Sequence, residues 1–500
     1  MKNLKYFFAL LLLVFAANAC QNFEELEADQ NRSTTVPPGL VLRGLLKDTY
    51  YAPWGDVSRY CQYWCSNYNY YDNNEYEWTT TGLNFTSIKN VVKMEEEATR
   101  IGLPAGNAYE AMGKFFRAYF YYDMTMKVGD VPLTDALKGA ENIAPAYNTQ
   151  REIFKQILTW LEESNTQLAA RAAVADQTLV GFDFYFNGDL AKWQKAVNAF
   201  KIRVLVQLSK REAEASELNV KAEFAKIAGN PTQYPLPTSN SDNVKYTFTS
   251  IDKYPFNPSN FGFFADRYNT SATYVGNLAA LKDPRVFVVA EPAAAKLAGG
   301  LTPADFEAYV GAPSDEGLDA MATKVQNGEY SRISKARFFS SDAGEPSIQI
   351  GYPELCLNIA EGINRGWWPA GDAKAWYDKG ITASMESYGI TDAAALATYL
   401  AAPATGYKGN NTDGLNQILM QKYLALAQHS GYEGYYNWRR TKQPFFFEGG
   451  PGTGNGGIIP KRYQYPNTER DNNTVNYKAA LVRQFGTEVD NINNDLWIAK

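Results

Sequence analysis

The sequence predicts a mainly α protein, a helical scaffold carrying long loops in one discontinuous unit. Three observations carry this. Apolar residues recur at helical spacing in six long segments. The stretches between them are irregular and rich in Pro, Asn, Gly and aromatics. No segment has linkers of its own on both sides that would mark an independent domain.

The N-terminus comes first. Lys2 and Lys5 precede an apolar run from Tyr6 to Ala17, about a dozen residues against the ~20 that span a bilayer. Small residues Ala17-Asn18-Ala19 then meet Cys20. A basic start, a short apolar core and a small-residue cut site make residues 1–19 a secretory signal. Bacterial lipoprotein signals resemble this arrangement, with Ala17 where they usually carry Leu, so Cys20 is the expected lipidation site. Ordinary cleavage after Ala19 is the competing reading. It would leave a free thiol in an oxidising compartment, whereas several acyl chains give a stable anchor. Residues 20–38 read as a flexible polar tether ending in Pro37-Pro38. Its Glu24, Glu25 and Glu27 resemble the surface-export signal of Bacteroidetes lipoproteins, or else form a solvated acidic spacer.

The single domain is expected over 39–500. Met112, Phe115, Phe116, Tyr119, Phe120 and Met124 make one broad helical face within Tyr109–Met126. Ile153, Ile157, Leu161 and Leu168 mark a second helix. Trp193, Val197, Phe200, Val204 and Leu208 mark a third, with Asp189 near its start. Tyr352–Asn364, Ala373–Tyr388 and Gly414–His429 give three more. Helix pairs packed in succession are the economical arrangement. Between them, 230–269, 293–328 and the glycine-rich 447–457 read as loops, where function tends to sit.

Composition narrows the function. The chain of 500 residues carries a formal charge of −6, which becomes −8 once Lys2 and Lys5 leave with the signal. An acidic chain without basic runs argues against nucleic acid. Beyond Cys20, only Cys61, Cys65 and Cys356 remain, which is no disulfide framework. They read as buried thiols, with one bridge open. His429 is the sole histidine, so a His-Glu-x-x-His zinc site is excluded. There is no Gly-x-Ser-x-Gly elbow and no phosphate loop. Glycosidases need only two carboxylates, and no Asp/Glu pair stands out by context.

Aromatic residues make up 14% of the chain, with 34 Tyr. Such rings have flat apolar faces and polar tips, suited to sugars and amphipathic ligands. The densest stretch runs from Trp54 to Trp78. Its Trp54–Ser66 part is predicted helical, putting Tyr60, Tyr63, Trp64 and Asn67 on one face. The Asn-rich part after it is too polar for a regular element. We take Trp54, Tyr60, Trp64, Asn67, Tyr68, Tyr71, Asn73 and Trp78 as candidate ligand-binding residues: rings stack on sugar faces and amides bind hydroxyls. Tyr254–Tyr274 is a second candidate, with Phe256, Phe263, Phe264, Arg267 and Tyr268; core packing is its bland alternative. No catalytic residue and no cofactor is expected. Asp72, Asn73 and Asn74, or Asp342 and Glu345, offer oxygen ligands for a structural Ca²⁺, but neither set has EF-hand spacing.

Six motifs in order add a family resemblance. They are Gly129-Asp130-Val131-Pro132, Asp283-Pro284-Arg285, and Tyr352-Pro353-Glu354 through Glu361. Tyr377-Asp378-Lys379-Gly380-Ile381, Gln421-Lys422-Tyr423 with Trp438-Arg439-Arg440-Thr441, and Ile459-Pro460-Lys461-Arg462 with Tyr465-Pro466 follow. Together they resemble the SusD/RagB nutrient-binding outer-membrane lipoproteins of Bacteroidetes, in the SusD-like subgroup. Gly362 departs from the family's usual Ala. The resemblance implies tetratricopeptide-like helix pairs in a right-handed superhelical scaffold, with a loop-rich second lobe. It implies no catalysis, but capture of an oligosaccharide or peptide beside a TonB-dependent SusC-like transporter. A surface glycosidase and a purely structural transporter partner are the competing classes. Physically, the motifs hold the fold: Glu354 and Glu361 share a helix face and suit buried arginines, and Arg439 and Arg440 are rigid forks for carboxylates.

Lipidation of Cys20 has a direct check. Mass spectrometry of the N-terminal peptide should show an acylated Cys20, and Cys20→Ala should move the protein from the membrane to the soluble fraction.

Overall fold

The chain turns helical at Pro38, the last residue of the expected tether. The computed structural model describes residues 35–68 and 73–500; Cys20, the expected signal, most of the expected tether and Tyr71 lie outside them. Helix α1 (Pro38–Asp48) opens with a proline at its first position, where a missing N–H is harmless, and buries Leu42, Leu45 and Leu46. A short α2 (Asp56–Tyr60) follows.

A helix not singled out from the sequence, α3 (Phe85–Arg100), precedes three predicted periodic segments that become long helices: α4 (Ala108–Val128), α5 (Gln150–Ala173) and α6 (Leu190–Gln207). Each neighbour in this series packs on the next. The caps are local. The Asn107 side chain accepts from the Glu110 N–H, Thr149 and Glu152 form a reciprocal capping box, and Asp189 accepts from the Lys192 N–H. Helix α4 is buried on nearly every side, from Met112 through Tyr122 to Val128. A helix apolar all round belongs inside, and α4 is the axis of the first bundle.

A second bundle comprises α7 (Tyr352–Asn364), α8 (Ala373–Ser387), α9 (Thr412–Ala425) and α10 (Glu433–Thr441), with α7 packed on α8, α9 and α6. Two carboxylates on α7 tie it to its surroundings. Glu354 receives Arg203 of α6 in a two-pronged pair, 2.6 Å on each prong, both side chains buried. One turn pair further on, the fully buried Glu361 receives Arg440 of α10 at 2.5 and 3.0 Å, Lys422 of α9, and Arg365 at 2.8 Å. Burial alone would raise the Glu361 carboxyl, yet Arg440, Lys422 and Arg365 together hold it well below the usual carboxylate range. Arg440 thus meets the expected carboxylate. Arg439 does not: it donates to the Met126 and Lys461 carbonyls. Asp283 and Arg285 form another fully buried pair at 2.6 Å, braced by Tyr399 and Gln421.

Gly362 also has a local reason. A Cβ there would lie 2.2 Å from the Phe224 ring, so Phe224 fills the space an alanine would need.

The remainder is loop-rich, with three two-stranded antiparallel sheets among the described residues. β1 (Trp64–Ser66) pairs with β5 (Tyr268–Thr270), β2 (Val131–Pro132) with β3 (Tyr147–Asn148), and β4 (Val244–Tyr246) with β6 (Ser347–Ile350). One apolar cluster runs from Leu42 to Ala499 through both bundles.

Trp54–Ser66 is not one helix. It stops at Tyr60, and Gln62 takes a left-handed conformation with φ 56° before β1 begins. The reason is the Gln62 amide. It donates to the Phe447 carbonyl at 2.8 Å and accepts from the Phe447 N–H and the Thr273 hydroxyl. These tertiary bonds outweigh one more helical turn. Cys61 and Cys65 therefore never share a helix face. With Cys356 they are buried free thiols, each pushed up to about 12 by burial.

Replacing Glu361 by Gln strands Lys422 and Arg440 without a counter-charge and should cost about 3–5 kcal/mol. Urea unfolding should show a lower midpoint with unchanged slope. Because the Glu361 carboxyl is depressed in the fold, its stabilisation is complete above an ordinary carboxylate value near ~4.3 and is lost as pH falls below it. The deficit of the variant should therefore be full at neutral pH and shrink in acid.

Candidate functional site

Pairing of β1 with β5 brings the two predicted aromatic stretches into one place. Trp64 lies opposite Thr270, Cys65 opposite Asn269 and Ser66 opposite Tyr268, and the Asn67 N–H extends the ladder to the Arg267 carbonyl at 2.8 Å. Two rings are thereby carried to the surface side by side. Tyr68 is 44% exposed and Phe263 42%. The Arg267 guanidinium lies over both, 3.4 Å from the Phe263 centroid and 5.1 Å from that of Tyr68. Such cation–ring contacts stiffen a patch that would otherwise be three mobile side chains. Phe264 and Tyr268, half-buried and 5.4 Å apart, back it.

Beneath the patch lies an aromatic stack that the sequence does not reveal. Buried Phe256 touches the Trp54 indole at 4.5 Å, Phe339 at 4.8 Å, Phe264 at 5.2 Å and Tyr268 at 5.8 Å. Trp54, half-buried, is held by its indole N–H donating to the Tyr254 hydroxyl at 2.7 Å. The patch therefore rests on a rigid base rather than on a loop alone.

The other expected ligand residues fall elsewhere. Trp64 is buried, edge-on to Tyr268 at 4.6 Å, with its indole N–H given to the Ser58 hydroxyl. Tyr60 and Trp78 are buried with Tyr76, and Trp78 stacks on Tyr463 at 4.3 Å. Asn67 is buried and donates to the Asn269 side chain at 3.1 Å. Tyr60, Trp64, Trp78 and Asn67 thus leave no face open to a ligand in this structure. The cause is the break at Gln62, which turns the chain inward. Asn73 is half-buried: its carbonyl takes an Arg59 N–H and its side chain accepts from the Glu75 N–H at 2.8 Å. Tyr71 lies outside the described residues. Of the expected set, Tyr68 and Tyr268 stand at the patch and Trp54 under it. Phe263 and Arg267, from the second candidate stretch, complete it.

Of the oxygen ligands considered for Ca²⁺, Asp72 lies outside the described residues and the others are engaged otherwise. Asp342 pairs with Lys253 at 3.0 Å, Glu345 pairs with Arg337, and the Asn74 amide bonds the Ser66 backbone. Among the described residues no group of three or more His, Cys, Asp and Glu is placed to hold a metal ion.

Residues 30–466 match a SusD-like family model described as starch-binding and associating with the outer membrane. The chain belongs to the SusD-like family. A SusD homologue from Bacteroides fragilis NCTC 9343 shares 30% identity and superposes with a TM-score of 0.84, covering 93% of this chain and 100% of its own. An outer-membrane protein of Bacteroides vulgatus ATCC 8482, whose description connects it with nutrient binding, gives 30% identity and 0.80 over the same shares. A chitin-binding SusD homologue from Flavobacterium johnsoniae, 17% identical, shares the fold at 0.72, covering 93% of this chain and 98% of its own. Among curated protein sequences none matches. The mainly helical SusD-like fold expected from the motifs is the one observed, and no helix of the described residues is long and apolar enough to cross a membrane.

The two kinds of aromatic should separate on mutation. Trp78→Ala should cost about 3–5 kcal/mol in urea unfolding, as a large core truncation does. Tyr68→Ala, on the exposed patch, should stay within about 0.5 kcal/mol of the parent.

Proposed function

We propose that this protein captures oligosaccharides at the cell surface and passes them to a partner TonB-dependent SusC-like transporter, without catalysis. The observation that carries the reading is the exposed Tyr68–Arg267–Phe263 patch on its rigid aromatic base. The exposed parts of these two rings offer apolar area for the C–H faces of sugar rings, and the Tyr68 hydroxyl suits sugar hydroxyls. Exposed neighbouring rings on a rigid support are suited to holding a repeating chain loosely enough to release it. Family membership supports the outer-membrane setting, and binding of starch or chitin by relatives supports glycan as the ligand class. In this reading the lipid on Cys20 keeps the protein at the membrane, and the tether up to residue 38 gives the helical body reach.

The charges at the patch favour sugars over peptides. Arg267 lies against rings, and Asp266 faces Arg332 at 3.6 Å, so neither stands alone to hold a peptide terminus.

Calorimetry with maltooligosaccharides, chitooligosaccharides and short peptides tests the reading. A glycan should bind, and Tyr68→Ala and Phe263→Ala should each weaken it about tenfold, or 1.4 kcal/mol. Heat with peptides alone would move the cargo to peptides. Release of reducing ends by the pure protein would make it a glycosidase, and silence with every ligand would leave a structural partner of the transporter.

A further inference from the structure

Glu433 opens α10 at the seam where the two bundles meet, and it is 3% exposed. Its carboxyl group touches neutral partners. The Tyr122 hydroxyl of α4 donates to Oε1 at 2.7 Å, and the Gln207 amide at the end of α6 donates to Oε2 at 3.0 Å. The ion pairs of the seam pass it by. Arg203 goes to Glu354, and Lys422 and Arg440 go to Glu361, so Glu433 has no ion pair among the described residues.

Arg203 is the cation whose charge bears most on Glu433. It is already committed. Two of its N–H groups go to Glu354, and it also donates to the Gln349 carbonyl at 2.7 Å. The Ser430 hydroxyl braces the same Glu354 carboxylate at 2.9 Å. The seam therefore buries two carboxyl groups against one guanidinium. The other titratable groups around Glu433 are neutral: Tyr119 and Tyr122 of α4, Tyr436 of α10 and Cys61 after α2, all pushed up by burial.

With both glutamates ionised, the site would hold one excess negative charge away from water. A buried charge without a partner is costly, whereas a carboxylic acid is not. The first turn of a helix favours negative charge, but that effect is weak beside lost hydration. Burial, joined by the Glu354 charge, accordingly raises the Glu433 carboxyl, against the pull of Arg203, Tyr122 and Gln207. We propose that Glu433 is a proton-operated latch between the two bundles. Carrying its proton, it seats Tyr122 and Gln207 and leaves Arg203 to Glu354. Once that proton passes to solvent, it competes with Glu354 for the guanidinium and weakens the hold of α10 on α4 and α6. The latch is closed in acid and loosens as pH rises. A carboxyl raised in the fold gives stability that is full below its ordinary value near ~4.3 and is lost as pH rises through the folded value. Glu361, held low, loses its contribution as pH falls. The two buried glutamates thus respond to pH in opposite directions, which a merely structural role for Glu433 would not produce.

Urea unfolding of the full protein and of Glu433→Gln, from about pH 4 to about pH 9, tests this. Gln keeps the size of the side chain without the charge. Relative to the parent, the variant should gain stability steadily as pH rises. The gain should be about tenfold in the unfolding constant, or 1.4 kcal/mol, for each unit by which the fold raises the carboxyl. Glu361→Gln, run alongside, should show its deficit growing over the same range. A second readout needs no variant. With glutamate isotope-labelled at the carboxyl carbon, one NMR signal of the parent should titrate above the ordinary glutamate value near ~4.3. That signal should be missing from Glu433→Gln. Three results would overturn the proposal: every glutamate carboxyl titrating at or below that value, a raised signal that survives in Glu433→Gln, or a stability difference between Glu433→Gln and the parent that stays flat or falls with rising pH. The titration of the parent decides even if the variant fails to fold. Neither measurement involves a ligand, so the glycan reading stands or falls separately.

Discussion

Two carboxylates on one helix hold the architecture. Glu354 and Glu361 lie seven residues apart on α7, so they face the same side. Glu354 takes Arg203 from the first bundle, and Glu361 takes Lys422 and Arg440 from the helices packed around α7. Each pair is buried, so its worth as a net stabiliser is modest, while the penalty for breaking it is large. That asymmetry specifies position. The helices can assemble only where each cation meets its carboxylate, and Arg203 also reaches the Gln349 carbonyl of β6, which aligns the second lobe with the scaffold.

Against this frame, the surface patch depends on a break. Gln62, fully buried and left-handed, stops α2 and redirects the chain into β1. Its amide grips Phe447 of the glycine-rich loop and Thr273 beyond β5. One polar side chain thereby sets how three loop segments meet, and β1–β5 pairing then delivers Tyr68 beside Phe263. Ring contacts from Trp54 to Tyr268 through Phe256 connect that surface to the core.

Legibility follows the range of the interactions. Helices α4 to α9 were readable because the 3.6-residue apolar period and, for α6, the Asp189 cap are local features. The pairing of Glu354 and Glu361 with cations was readable as a need, since a buried carboxylate requires one. The patch was half readable. Composition pointed to the right stretches, but period and propensity made 54–66 a helix and ranked Trp64 and Trp78 with Tyr68. Nothing local distinguishes a ring that packs on Tyr463 from one that meets solvent.

What the chain carries in its own order is the helical pattern, the family motifs and the aromatic wealth of two loop stretches. Each depends on neighbours within a few turns, or on residue type alone. Which rings surface and where α2 ends depend on residues hundreds of positions apart: Gln62 with Phe447 and Ser66 with Tyr268. Such contacts form only when loops close in space, and the linear sequence holds no period or spacing that encodes them.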